Sequence, residues 1–150
     1  MYKRQVQAFV NTVDREHGPD LLAGTAGLEE WLARHGLATP VRAGEEDGAR
    51  AVREALRSLL WANNGEPYDA AAADVLAGAA RRARLEPTFA PGDAALVPRA
   101  DGVDGAIGRL LAVTFAAMLD GSWRRLKACP GHRCGWACLL YTSPSPRDRS

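Results

Sequence analysis

Between Val103 and Met118 the chain is apolar around most of a helical circumference, and this segment constrains the fold more than any other. Val103, Ile107, Leu110, Leu111, Thr114 and Met118 share one helical face, and Val113 and Phe115 widen it. A helix apolar on so many sides has to be surrounded by other elements. The 150 residues are 47% apolar and 25% charged, a globular composition with enough length for one core. The expected fold is therefore mainly α, provided that the flanking segments supply amphipathic partners.

They do. Val6, Phe9, Val10 and Val13 recur at i, i+3, i+4 and i+7, which predicts a helix from Val6 to about Glu16. The breaker cluster His17-Gly18-Pro19-Asp20 stops it. A second helix is expected over 26–35, with Thr25 as N-cap and Leu28, Trp31 and Leu32 as its face. A third spans about 45–62 on Ala49, Val52, Leu56, Leu59 and Leu60. Glu46, Arg50, Arg53 and Arg57 are expected on its solvated side, and Asn63-Asn64-Gly65 ends it. Asp69 caps a fourth, alanine-rich helix running to about Arg84, with Val75, Leu76, Ala79 and Ala83 inward. Leu85–Phe89 and Ala94–Pro98 flank the turn Pro91-Gly92-Asp93, which predicts a β-hairpin. Four to five helices with one hairpin then share a core that includes Val10, Val52, Leu56, Leu59, Ile107, Leu110, Leu111 and Met118.

The two ends read differently. From Cys138 onward no helical or strand period continues. Read back through the genetic code, Cys138-Leu139-Leu140-Tyr141-Thr142-Ser143 matches a transposase adapter used in shotgun sequencing. The reverse complement of that adapter encodes Tyr2-Lys3-Arg4-Gln5. Residues 1–5 and 138–150 are therefore expected to be adapter-derived and to lack packing, leaving 6–137 as a gene fragment cut at both ends. Setting aside Lys3, Arg4, Arg147, Asp148 and Arg149 changes the formal charge from +1 to −2. Neither value advertises nucleic-acid binding. No run of roughly 18 apolar residues predicts a membrane span, and no secretory signal is visible, so a cytoplasmic location is expected.

Chemistry concentrates after the last helix. In Lys127-Ala128-Cys129-Pro130-Gly131-His132-Arg133-Cys134-Gly135-Trp136, two cysteines flank a Pro-Gly turn. Two thiolates held on one side of a tight turn make half of a tetrahedral zinc site. Spacing alone is equally compatible with two buried, inert cysteines. The turn and the preceding basic run favour metal, and the spacing is not that of a thioredoxin-type pair.

With these residues in view, the chain resembles the bacterial family that joins an N-terminal ABATE domain to a C-terminal CGNR zinc finger. Phe9-Val10-Asn11-Thr12-Val13-Asp14 matches the family's N-terminal segment, and Leu126-Lys127-Ala128-Cys129-Pro130 with Cys134-Gly135-Trp136 matches the start of its knuckle. The resemblance implies an ABATE-like helical domain over 6–121 and a truncated knuckle over 122–137. It implies a stress-induced transcription regulator that binds DNA and holds zinc with four cysteines, Cys129 and Cys134 being the first pair. The match stops at Ala137, before the second pair, so zinc and DNA binding are implied for the full-length parent and only a half-site for this chain. The alternative is a knuckle that binds protein and no DNA.

Other candidates are weaker. His132 is read as a knuckle-loop residue that could serve as a third ligand, and Arg133 and Lys127 are the candidate DNA contacts. His17 and His35 sit at helix ends, where a structural role suffices. Asn11, polar within an apolar helix, is expected to hydrogen-bond a neighbouring loop. Asp14 and Glu16 point apart and make no acid–base dyad. Gly102, Gly105 and Gly108 follow no strand, so they form no phosphate loop. Trp31, Trp61, Trp123 and Trp136 are too dispersed for a stacking platform, and Arg81, Arg82 and Arg84 complement a helix C-terminus. No nucleophile–base pair or carboxylate cluster points to an enzyme. The helical domain is expected to sense a small-molecule effector or to meet a protein partner.

Overall fold

The computed structural model describes residues 3–14, 18–129 and 136–139. Helix α1 spans Lys3–Val10, α2 Thr25–Arg34, α3 Glu45–Asn63, α4 Ala70–Ala83 and α5 Gly102–Asp120. Three separate two-stranded antiparallel sheets punctuate them: β1 (Val13–Asp14) with β2 (Gly18–Asp20), β3 (Leu85–Ala90) with β4 (Asp93–Pro98), and β5 (Leu126–Ala128) with β6 (Ala137–Leu139). A short 3-10 turn, Ser122–Arg125, joins α5 to β5. The mainly α fold read from the sequence is the fold observed.

Helix α5 is the centre, packed against α1, α4 and β4. Val103, Ile107, Leu110 and Leu111 are buried with Val10, Val52 and Leu56. By length and composition α5 could cross a membrane, but half of it is buried inside the protein, as a core helix should be. Gly108 lets it approach closely: a Cβ there would lie 2.6 Å from Ala83 Cβ and 2.9 Å from Pro98 Cβ. Two expected core members depart. Leu59 is half-buried, and Met118 is 43% exposed. Together with Phe115 they border a groove between α3, α4 and α5, where no element covers them among the described residues.

Helix α1 ends earlier than its periodicity predicts. The Thr12 hydroxyl donates to the Phe9 carbonyl at 2.7 Å, taking an acceptor that a continuing helix would use. Val13 then pairs with Asp20 in β1–β2 instead of extending the helical face. At α2, Gly24 and not Thr25 is the N-cap, and no side chain caps the helix. Helix α3 begins with Glu45 and Glu46 reaching back to the Arg42 and Gly44 amides, which suits the positive end of the helix dipole. Asp69 caps α4 as expected, accepting from the Ala71 and Ala72 amides. Val75 is exposed, so the inward face of α4 is Ala72, Ala79 and Ala83.

The largest correction concerns Arg53 and Arg57, which are 4% and 2% exposed. Strand β2, through Asp20, and the end of α1, through the Val10 carbonyl, meet the side of α3 that its own periodicity leaves polar. Arg57 donates to the Val10 carbonyl at 2.7 Å, satisfying an acceptor at the C-terminus of α1. Arg53 grips Asp20 through two bonds, 2.7 and 3.0 Å, and also bonds Glu54 and Thr12.

Where the ends are described they take part in regular backbone structure, while Arg4 and Cys138 stay exposed. Gln5 lies within α1 and donates to the His35 carbonyl at 2.8 Å. Cys138 and Leu139 pair with Lys127 and Leu126. Backbone ladders extend into both segments because a helix turn or a strand edge offers partners to any sequence. Residues 1–2 and 140–150 lie outside the described residues.

Candidate functional site

Strand β5 leaves the 3-10 turn with Leu126 and Ala128 buried in the core that also holds Trp123 and Ala137. Its register with β6 is Leu126↔Leu139, Lys127↔Cys138 and Ala128↔Ala137. One step further, the Cys129 amide donates to the Trp136 carbonyl at 2.6 Å. That bond closes the loop whose sequence carries Pro130, Gly131, His132, Arg133 and Cys134, all outside the described residues. Cys129 is half-buried at the mouth of the loop, and Cys138 is exposed on β6. Among the described residues no three His, Cys, Asp or Glu side chains converge as metal ligands.

Side-chain amides seat this hairpin on the helices. Asn11 on α1's C-terminal side donates to the Ala137 carbonyl at 3.0 Å and accepts from the Ala137 amide at 2.7 Å, as a neighbouring strand would. Gln7 donates to the same carbonyl at 3.1 Å. At the end of α3, Asn63 donates to the Trp123 and Leu126 carbonyls and Asn64 to that of Ala128. Lys127 returns the contact, its Nζ donating to the Asn63 carbonyl at 2.9 Å. Lys127 is thus engaged with the C-terminus of α3. The expected bond from Asn11 to a neighbouring segment is present. The roles of Asn63 and Asn64 were hidden, because Asn-Asn-Gly after an apolar stripe reads as a helix stop and nothing local names a distant carbonyl.

Beside this seat lies a half-open cavity of about 630 Å³ between α1, α2 and Trp136. Trp31 is among its lining residues, edge-on to Phe9 at 5.3 Å and stacked on His35 at 4.0 Å. His35 Nδ1 is 2.9 Å from the Trp31 carbonyl, and since a carbonyl only accepts, Nδ1 carries the hydrogen. His35 therefore has the structural bond expected of it and also lines the cavity. Gln7 and Asn11 line it too, so the residues that hold Ala137 face the same space. A second cavity, about 530 Å³ and strongly apolar, is the groove between α3, α4 and α5, bordered by Leu59, Leu76, Phe115 and Met118.

The electrostatic centre of the domain is Asp20–Arg53. Burial pushes the Asp20 carboxyl up. The bonds from Arg53 and the Leu22 amide, with the charges of Arg53 and Arg50, outweigh burial and hold it below the ordinary carboxylate value. Burial likewise pushes the Arg53 guanidinium down, and Asp20 and Glu54 more than reverse it. The pair fixes β2 to α3 and lines neither cavity.

A family model matches residues 4–122: ABATE, described as "putative stress-induced transcription regulator". The chain belongs to the ABATE family. No curated protein matches it. The ABATE match spans α1 through the first residue of the 3-10 turn, so it takes in all five helices, the β1–β2 pair and the β3–β4 hairpin. In this ABATE chain the β5–β6 hairpin follows directly and shares the helical core. The family assignment supports a regulator of transcription.

Proposed function

We propose that this ABATE chain is part of a DNA-binding transcription regulator whose helical domain senses a signal and whose β5–β6 hairpin is the first half of a zinc knuckle. The observation that carries the reading is the Cys129–Trp136 backbone bond, which joins the two residues that flank 130–135, the stretch whose sequence contains Cys134. The donor chemistry fits: two cysteines separated by four residues in sequence offer thiolates, which suit zinc, a metal that takes four such ligands in structural sites. Cys129 and Cys134 would hold the metal, and zinc would supply a cross-link between the two sides of the loop. Two ligands are half a set, so this chain binds zinc weakly, and a longer parent with a second cysteine pair binds it tightly. DNA contact would come from Arg133 and from basic residues beyond the knuckle, because phosphate neutralisation drives such binding.

Zinc stoichiometry and affinity, measured on this chain and on the product of the longer parent gene, test the reading. One tight zinc is expected in the parent and is lost in Cys129→Ser and Cys134→Ser. Tight one-to-one zinc in this chain overturns the half-site, and a parent without zinc overturns the knuckle. A zinc-loaded parent whose binding to duplex DNA shows no salt dependence makes the knuckle a protein-interaction module instead.

A further inference from the structure

We propose that this chain forms a two-fold dimer in which the tip of each β3–β4 hairpin enters the partner copy's groove between α3, α4 and α5. Neither zinc nor DNA is needed for it. In a strand alternate residues share a face, and the register sets Leu85, Pro87 and Phe89 opposite Pro98, Leu96 and Ala94. All six are apolar. At its base this face lies on the helices: Leu85 and Leu96 line the groove, and Leu85 and Pro98 close on Gly108 of α5. Toward the tip it runs on, with Pro87 and Ala94 exposed and Phe89 81% exposed. A two-stranded hairpin with an uncovered apolar face is marginal in water. The outer half of this one therefore calls for a cover, and among the described residues none lies over it.

The groove calls for the matching surface. Its volume is about 530 Å³, no charged side chain lines it, and Tyr68 and Phe115 stand on its border 69% and 48% exposed. Its fitting occupant is an uncharged apolar projection, and the hairpin tip is one. The same chain thus carries knob and hole, adjoining through Leu85 and Leu96, and neither fills the other. A two-fold axis satisfies both at once, whereas a contact that does not close would build a filament. The area suffices. At ~200 Å² per aromatic side chain, the exposed parts of Tyr68, Phe89 and Phe115 amount to roughly 400 Å². Met118 and Leu119, both exposed and beside Phe115 on the helix, add to it. A standard interface takes ~800 Å² from each partner, somewhat more than half of it apolar. A monomer rarely leaves so large an apolar patch open.

Sedimentation of the full chain from about 1 to 100 μM tests the dimer. A chelator and a thiol reductant are present, so that Cys129, Cys134 and Cys138 cannot bridge copies. Reversible association to twice the 16.1 kDa of one chain is expected. Phe89→Lys and Met118→Glu should each weaken it at least ten-fold. Both side chains are exposed, so the circular dichroism of the variants should match that of the parent chain. An equimolar mixture of the two variants should associate several-fold more tightly than either alone. In the mixed dimer one hairpin–groove contact is native, and the other sets the new lysine against the new glutamate. A chain that stays monomeric at the top of the range overturns the dimer. Association indifferent to either variant, or a mixture no tighter than the variants alone, overturns the seating of the hairpin in the groove. Growth beyond two copies overturns the two-fold closure. Each outcome is independent of whether the parent holds zinc or DNA.

Discussion

Replacing Asp20 by alanine should destabilise the domain far more than an ordinary surface substitution. In the folded chain Asp20 accepts two bonds from Arg53, at 2.7 and 3.0 Å, and one from the Leu22 amide at 2.8 Å. The Arg53 side chain is only 5% exposed, so water cannot take the place of the lost carboxylate. Glu54 and Thr12 remain as partners, but Glu54 is about half exposed and Thr12 is neutral. Removing one partner of a buried pair costs about 3–5 kcal/mol, against ~0–1 kcal/mol for an exposed pair. Urea denaturation of Asp20→Ala should give a loss in the first range. Because Asp20→Ala with Arg53→Met removes both charges, the double variant should lose clearly less than the sum of the single losses. The pH dependence has a fixed sign. The Asp20 carboxyl titrates below its ordinary value in the folded state, so its contribution is complete above about pH 4 and disappears as pH falls through the lower folded value. The stability gap between the parent chain and Asp20→Ala should therefore stay constant from neutrality to about pH 4 and shrink below it. A loss under about 1 kcal/mol, or a gap that closes near neutral pH, would refute the buried-clamp reasoning.

Two further substitutions probe the packing around α5. Gly108→Ala should cost about 1–3 kcal/mol by overpacking, because the new Cβ meets Ala83 and Pro98 well inside contact distance; unchanged thermal stability would show that α4 and the β3–β4 hairpin can retreat freely. Leu110→Ala empties a fully buried site and should cost ~2–5 kcal/mol in denaturant titrations, whereas a loss under 1 kcal/mol would deny α5 its central place.

Much of this architecture was legible because it rests on local chemistry. Helical spacing located α2, α3 and α5 nearly to the residue, Asp69 announced the start of α4, and Pro91-Gly92 announced the β3–β4 turn. Each signal lies within a few residues of what it specifies. The candidate site was legible only in part. Cys129 and its loop stand out by residue type, whereas the amide seat of Gln7, Asn11, Asn63 and Asn64 joins positions separated by 60 residues or more. The cavity shared by Trp31 and Trp136 likewise has walls from opposite ends of the sequence.

The burial of Arg53 and Arg57 shows where the division falls. The sequence by itself determined that α3 would form and which stripe would be apolar, because side-chain spacing on a helix is fixed by its own backbone. Only the tertiary structure decided that the adjacent polar stripe would also be covered. A guanidinium is costly to bury unless its donors are bonded, and whether it is buried depends on partners that other elements bring. Asp20 and the Val10 carbonyl arrive from β2 and α1, and they turn two solvent-facing arginines into the clamp between the N-terminal segment and α3.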